Sequence, residues 1–69
     1  MKYKSGQKIK ARVPFSRTTS KVHIENVLDT VYNDKLIVYR VYGKQKQWWH
    51  YFSCFDFEMD MYVEHAQKQ

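Results

Sequence analysis

From Lys8 to Val13 the chain alternates without a fault, with Ile9, Ala11 and Val13 on one side and Lys8, Lys10 and Arg12 on the other. A period of two marks a half-buried strand, and the wet face of this one is entirely cationic. Gly6 and Pro14 punctuate it, and the polar run Ser16-Arg17-Thr18-Thr19-Ser20-Lys21, which has no period, reads as a loop. Residues 22–32 support two readings. Ile24, Val27, Leu28, Val31 and Tyr32 fit one helical face, whereas the content of Val, Ile, Thr and Tyr favours extended chain. The sequence downstream favours the strand, bulged near Asn26. Asn33-Asp34 is turn chemistry, and Leu36-Ile37-Val38-Tyr39-Arg40-Val41-Tyr42 is the strongest strand in the chain, so a hairpin pairs both segments at once. Apolar residues on both faces of Leu36–Tyr42 predict a central strand. Gly43-Lys44-Gln45-Lys46-Gln47 then turns the chain into a further strand, Trp48-Trp49-His50-Tyr51-Phe52.

The tail is again double. Phe55, Phe57, Met59, Met61 and Val63 alternate with acids as a strand would, yet Ser53-Cys54-Phe55-Asp56 resembles a helix N-cap with an acid at the third position, and Phe55, Met59, Tyr62 and Val63 share a helical face. No Gly, Pro or Asn occurs after residue 43, so a tight hairpin is unsignalled and a short helical element near Ser53 is expected before any last strand. The fold class is therefore mainly β: a small antiparallel barrel or sheet of four or five strands with a short helix or helical turn near the C-terminus. There is no internal repeat or linker, and the chain reads as a single domain over residues 1–69.

Composition narrows the picture. A chain of 69 residues buries only about 60% of the surface its unfolded form exposes, which excludes a deep interlobe cleft. With 43% hydrophobic and 17% aromatic residues it is nonetheless expected to fold around a core. A single cysteine, Cys54, closes no intramolecular disulfide, so a reducing compartment is expected. No window approaches the roughly 18 apolar residues of a membrane span, and a cytoplasmic protein with no membrane partner is the expectation.

The net charge of +5 is unevenly placed. Lys2, Lys4, Lys8, Lys10, Arg12, Arg17 and Lys21 give residues 1–21 a charge of +7 with no acid, residues 22–47 are nearly neutral, and Asp56, Glu58, Asp60 and Glu64 leave residues 48–69 at −3. If a closed barrel made first and last segments neighbours, Lys8, Lys10 and Arg12 would face Glu58 and Asp60 in cross-strand ion pairs and the field of the basic strand would be cancelled.

The order of elements resembles the SH3-like barrels: a short basic strand entered through glycine, a polar loop, a three-stranded meander with a tryptophan-rich third strand, then a helical turn and a closing segment. Gly6-Gln7-Lys8-Ile9-Lys10-Ala11-Arg12 is similar to the opening strand of Tudor and KOW-type modules, and Trp48–Phe52 looks like their fourth strand. The second strand lacks the aromatic-Arg-Ala signature of Tudor domains, so no methyl-ligand cage is implied. Small phage-encoded proteins that bind host factors resemble this chain in being short, basic, aromatic and without catalytic motifs.

The candidate chemistry is cationic and aromatic. Lys8, Lys10 and Arg12 on one strand, and Lys35, Arg40, Lys44 and Lys46 around the meander, accompany Trp48, Trp49, His50 and Tyr51. Fixed cations hold phosphates and flat rings stack unpaired bases, so nucleic acid or a nucleoprotein is the first expected partner. A host protein with an acidic surface is the second, since Tyr, Trp and Arg dominate interface hot spots. Pairing of copies is compatible with either. Strand neighbours take opposite faces, so one of Trp48 and Trp49 is expected to point inward. Asp56, Glu58 and Asp60 would line one face of a strand as a possible acid/base or cation cluster, but such a run is more often a solvated edge. His50 and Cys54 with His23 and His65 lack paired metal-ligand spacing. No phosphate loop, nucleophile elbow or Cys-x-x-Cys occurs, so the chain is read as non-enzymatic, without cofactor or metal.

Overall fold

The computed structural model describes residues 2–14, 16, 18–44 and 46–67; Arg17 of the basic head, Gln45 of the second turn and Lys68 of the tail lie outside the described residues. Four strands, β1 (Lys8–Ala11), β2 (Ser20–Asp29), β3 (Lys35–Gly43) and β4 (Trp48–Phe55), precede one helix, α1 (Asp56–Gln67). The strands form one antiparallel sheet in the order β1-β2-β3-β4, so the fold is mainly β and β3 is a central strand, as its two apolar faces require. Ser20 and Lys21 belong to β2 and not to the polar loop, because Ala11 and Lys10 of β1 stand opposite them as ladder partners. β4 likewise runs three residues past Phe52, pairing as far as Phe55 with Leu36.

Left-handed backbone occurs in three turns among the described residues, at Gly6, Asn33 and Gln47, the last in the β3–β4 turn with φ of 52°. Gly6 has φ of 85°, and the Gln7 amide donates to the Lys4 carbonyl at 3.2 Å, which closes a turn with glycine at its third position. Asn33 has φ of 67° at the tip of the β2–β3 hairpin, where its short amide side chain tolerates the conformation.

The mixed signal over residues 22–32 has a definite cause. Ile24 lies opposite Tyr39 but Asn26 lies opposite Val38, so Glu25 is one residue more than β3 can match. Before this bulge Val22 and Ile24 face the core; after it Val27 does, opposite Ile37. The spacing of three between Ile24 and Val27 that imitates a helix is a strand carrying one extra residue. The Asn26 side-chain oxygen accepts the Val27 amide at 2.9 Å and holds the irregularity in place.

Among the described residues the tail forms a helix and no further strand. Its N-cap is Phe55, two residues beyond the Ser53 expected from sequence: the Phe55 amide donates to Glu58 Oε1 at 2.9 Å, the reach-back half of a capping box, while Ser53 still pairs with Val38 in the sheet. Asp56 and Glu58 in the first turn favour the positive end of the helix dipole. As a helix, the segment does not align Asp56, Glu58 and Asp60 on one face, because alternate residues lie about 200° apart around the axis.

One face of the sheet holds the core. Ala11, Val22, Ile24, Ile37, Tyr39 and Cys54 are buried on it beneath Met59, and Tyr62 and Val63 pack on the same cluster at helical spacing. Tyr3 closes the edge, its hydroxyl donating to Asp60 Oδ1 at 2.5 Å, and the Arg12 amide donates to the Tyr62 carbonyl at 2.9 Å. The helix thus crosses from the end of β4 towards β1. The Cys54 thiol is pushed up to about 12 by burial and then by Glu58 and Asp56, which makes it an apolar filler. No helix among the described residues is long and apolar enough to cross a membrane.

Met59, with 0% of its surface exposed, is the keystone of the helix–sheet contact. Met59→Ala is expected to lower stability by about 2–5 kcal/mol in urea denaturation. An unchanged midpoint would show that α1 is not seated as described.

Candidate nucleic-acid interface

Residues directly opposed in an antiparallel ladder share a face, so the register assigns every strand side chain to the helix side or to the open side. Lys8 is opposite His23, His23 opposite Arg40, and Arg40 opposite Tyr51, which makes one unbroken row across four strands on the open side. The adjoining row holds Lys10 opposite Lys21, and Tyr42 opposite Trp49. None of these eight side chains is buried.

Trp49 organises the centre. The Arg40 guanidinium carbon lies 4.2 Å from its ring centroid, and His23 and Tyr42 meet it edge-on at 4.9 and 5.2 Å. Glu25, delivered to this side by the bulge, places Oε1 2.7 Å from Arg40 Nε as an ion pair without hydrogen-bond geometry. Arg40 is therefore held against the Trp49 ring and partly neutralised. Tyr51, 61% exposed, and Tyr42, 45% exposed, offer accessible rings at this cationic end of the face.

Of the residues singled out from sequence, Lys8, Lys10, Arg40, Trp49 and Tyr51 are brought together here. Arg12 is exposed just past the end of β1, and Lys44 and Lys46 are exposed in the β3–β4 turn. Lys35 is separate: it pairs with Asp29 at the opposite end of the sheet. Neither tryptophan enters the core. Trp48 falls on the helix side by register but stands opposite Gly43 at the end of the ladder and is 69% exposed. Gly43 has its own reason to lack a side chain, since a Cβ there would lie 2.7 Å from the His50 ring.

Lys21, His23, Tyr42 and Glu25 belong to the face although sequence reasoning passed over them. The ion pairs expected between Lys8, Lys10 or Arg12 and the tail do not form: Asp60 takes Lys2, at 3.1 Å, and the Tyr3 hydroxyl. These partners hold the Asp60 carboxyl below its usual range, the Tyr3 hydrogen bond first. All four acids of the tail ride on α1, across a layer of about 10 Å from the open face. That distance is beyond ion-pair reach, so the acids of α1 do not directly neutralise the cations on the open side. Among the described residues no group of three or more His, Cys, Asp or Glu side chains could hold a metal ion.

His23 is held below the usual histidine range by partial burial first, then by Arg40, Lys8 and Lys21, with Glu25 opposing. The folded state favours the neutral ring, so its contribution to stability is fully present above the unfolded value of about 6.5 and is lost as pH falls through the lower folded value. An NMR titration is expected to show a His23 midpoint below 6.5 that rises in Lys8→Gln. A midpoint at or above 6.5 would contradict the cationic surroundings described.

No protein-family model, curated protein or solved structure matches this chain.

Proposed function

We propose that the chain is a non-enzymatic binding module that takes single-stranded nucleic acid, alone or within a nucleoprotein, on the open face of its sheet. The observation that carries this reading is the sorting of charge by layer: Lys8, Lys10, Lys21 and Arg40 share the open side, where Glu25 is the acid paired with Arg40, while Asp56, Glu58, Asp60 and Glu64 belong to the helix. Phosphates are met by cations fixed on strands, and bases by Tyr51 and Tyr42. Trp49 positions Arg40 and is not itself a free platform; Lys44 and Lys46 in the β3–β4 turn, with Trp48 on the helix side beside them, flank the surface at one end, and Arg12 extends it at the end of β1. The likeness to SH3-like modules fits a binding role of this kind, and the buried single thiol fits a reducing cytoplasm.

A second reading is favoured by a specific feature of the same face. Leu28, Leu36 and Phe55 stand opposite one another at its other end, and Phe57 stacks on Phe55 with ring centroids 5.5 Å apart. Leu28, Phe55 and Phe57 are 42%, 38% and 53% exposed. An apolar strip beside a cationic one suits an acidic protein surface, as for a small phage-type inhibitor or adaptor acting on a host protein.

Fluorescence anisotropy with single-stranded oligonucleotides separates the two. Four phosphate contacts give a slope of log K against log salt of about −3. Lys8→Glu with Lys10→Glu is expected to weaken binding at least tenfold without altering the thermal melt, and Tyr51→Ala to remove roughly 1–3 kcal/mol of stacking. No binding at low salt, together with stoichiometric capture of one host protein after nuclease treatment, would overturn the first reading in favour of the second.

A further inference from the structure

The two edges of the sheet are built differently. β1 is four residues long and carries Lys8 and Lys10, the kind of charge that blunts an exposed edge. β4 is eight residues long, Trp48-Trp49-His50-Tyr51-Phe52-Ser53-Cys54-Phe55, with no Lys, Arg, Asp, Glu, Pro or Gly. It ends the sheet, paired with β3 on one side and with no strand on the other among the described residues. Long, uncharged and aromatic, it has the composition that adds strands readily. α1 leaves its last residue and crosses towards β1, away from the outer edge.

We propose that β4 is a homodimerisation edge, on which a second copy of the chain pairs its own β4 antiparallel about a twofold axis at Tyr51. Pairing about Tyr51 sets Trp49 against the partner's Ser53 and Trp48 against the partner's Cys54, large against small, and leaves Tyr51 facing its own symmetry mate. Opposed residues then share parity, so both open faces fall on one side and both helices on the other. The product is a continuous eight-stranded sheet whose two cationic faces become one surface, with Tyr51 of each copy near its middle.

Charge favours a second copy as the occupant. The strand that must meet its own image has no Lys, Arg, Asp or Glu to repel; Lys8, Lys10, Lys21 and Arg40 lie inward of it, and Lys44 and Lys46 lie in the turn before its start. With strands about 4.8 Å apart, the two Arg40 residues would stand roughly 14 Å apart and the two Lys8 residues more than twice that. Both distances exceed the screening length of about 8 Å, so the net charge of +5 does not oppose the pairing. Growth stops at two, because each copy has one uncharged edge and the remaining edges carry Lys8 and Lys10.

Sedimentation equilibrium from micromolar to millimolar concentration is expected to show the mass rising from 8.5 kDa to twice that and no further. Hydrogen exchange of the β4 amides should slow over the same range while that of β1 does not. Tyr51 is 61% exposed, so Tyr51→Lys and Tyr51→Glu should fold, as a thermal melt will verify. Each should weaken its own dimer at least tenfold, and mixing the two should restore a dimer through opposite charges at the axis. A mass of 8.5 kDa throughout, assemblies larger than two, a dimer indifferent to Tyr51→Lys, or β4 exchange independent of concentration would each overturn the proposal. The exchange measurement on the unaltered chain decides the matter if either variant does not fold.

Discussion

The seat of α1 on one side of the sheet is the contact on which the rest of the molecule depends. Met59, Tyr62 and Val63 cover two adjoining rows, Ile24 opposite Tyr39 and Ile37 opposite Cys54, and the Arg12–Tyr62 and Tyr3–Asp60 hydrogen bonds tie the helix to the beginning of the chain. A four-stranded sheet of this size needs one apolar face covered, and this helix supplies the cover. The other face is left to solvent.

That asymmetry also sorts the charges. The acidic tail becomes the helical layer, and its carboxylates serve the helix itself: Glu58 caps the Phe55 amide and Asp60 receives Tyr3 and Lys2. The basic strands present their cations on the opposite side, with Arg40 held between Glu25 and the face of Trp49. Had the tail closed the sheet as a fifth strand, acids and bases would have met and little field would remain. The functional reading therefore follows from a choice of secondary structure at residue 56.

Much of this was legible in the chain. The alternation of Lys8–Val13, the turn at Asn33-Asp34 and the two-faced apolar run of Leu36–Tyr42 carry the meander, because each signal is local and is met by local backbone geometry. The site was legible only in part. Counting back from the hairpin without an irregularity pairs His23 with Val41; the extra residue at Glu25 moves it opposite Arg40 and so completes the row with Lys8 and Tyr51. A bulge near Asn26 can be suspected from sequence, but its register consequence depends on which residue is left unmatched. The inward tryptophan expected of the Trp48-Trp49 pair fails to enter the core for a different reason. Register puts Trp48 on the covered side, but only the reach of α1 decides whether that side is covered at the ladder's end. The start of α1 was two residues off because Ser53 offers a capping hydroxyl while Leu36 and Val38 offer ladder partners, and the ladder prevails.

Amide chemical-shift mapping of the labelled protein with a single-stranded oligonucleotide tests the central claim most directly. Perturbations are expected only on the open face, at Lys8, Lys10, Lys21, His23, Arg40, Tyr42 and Tyr51, with the outer surface of α1 silent. Shifts centred on α1, or none at low salt, would contradict the claim.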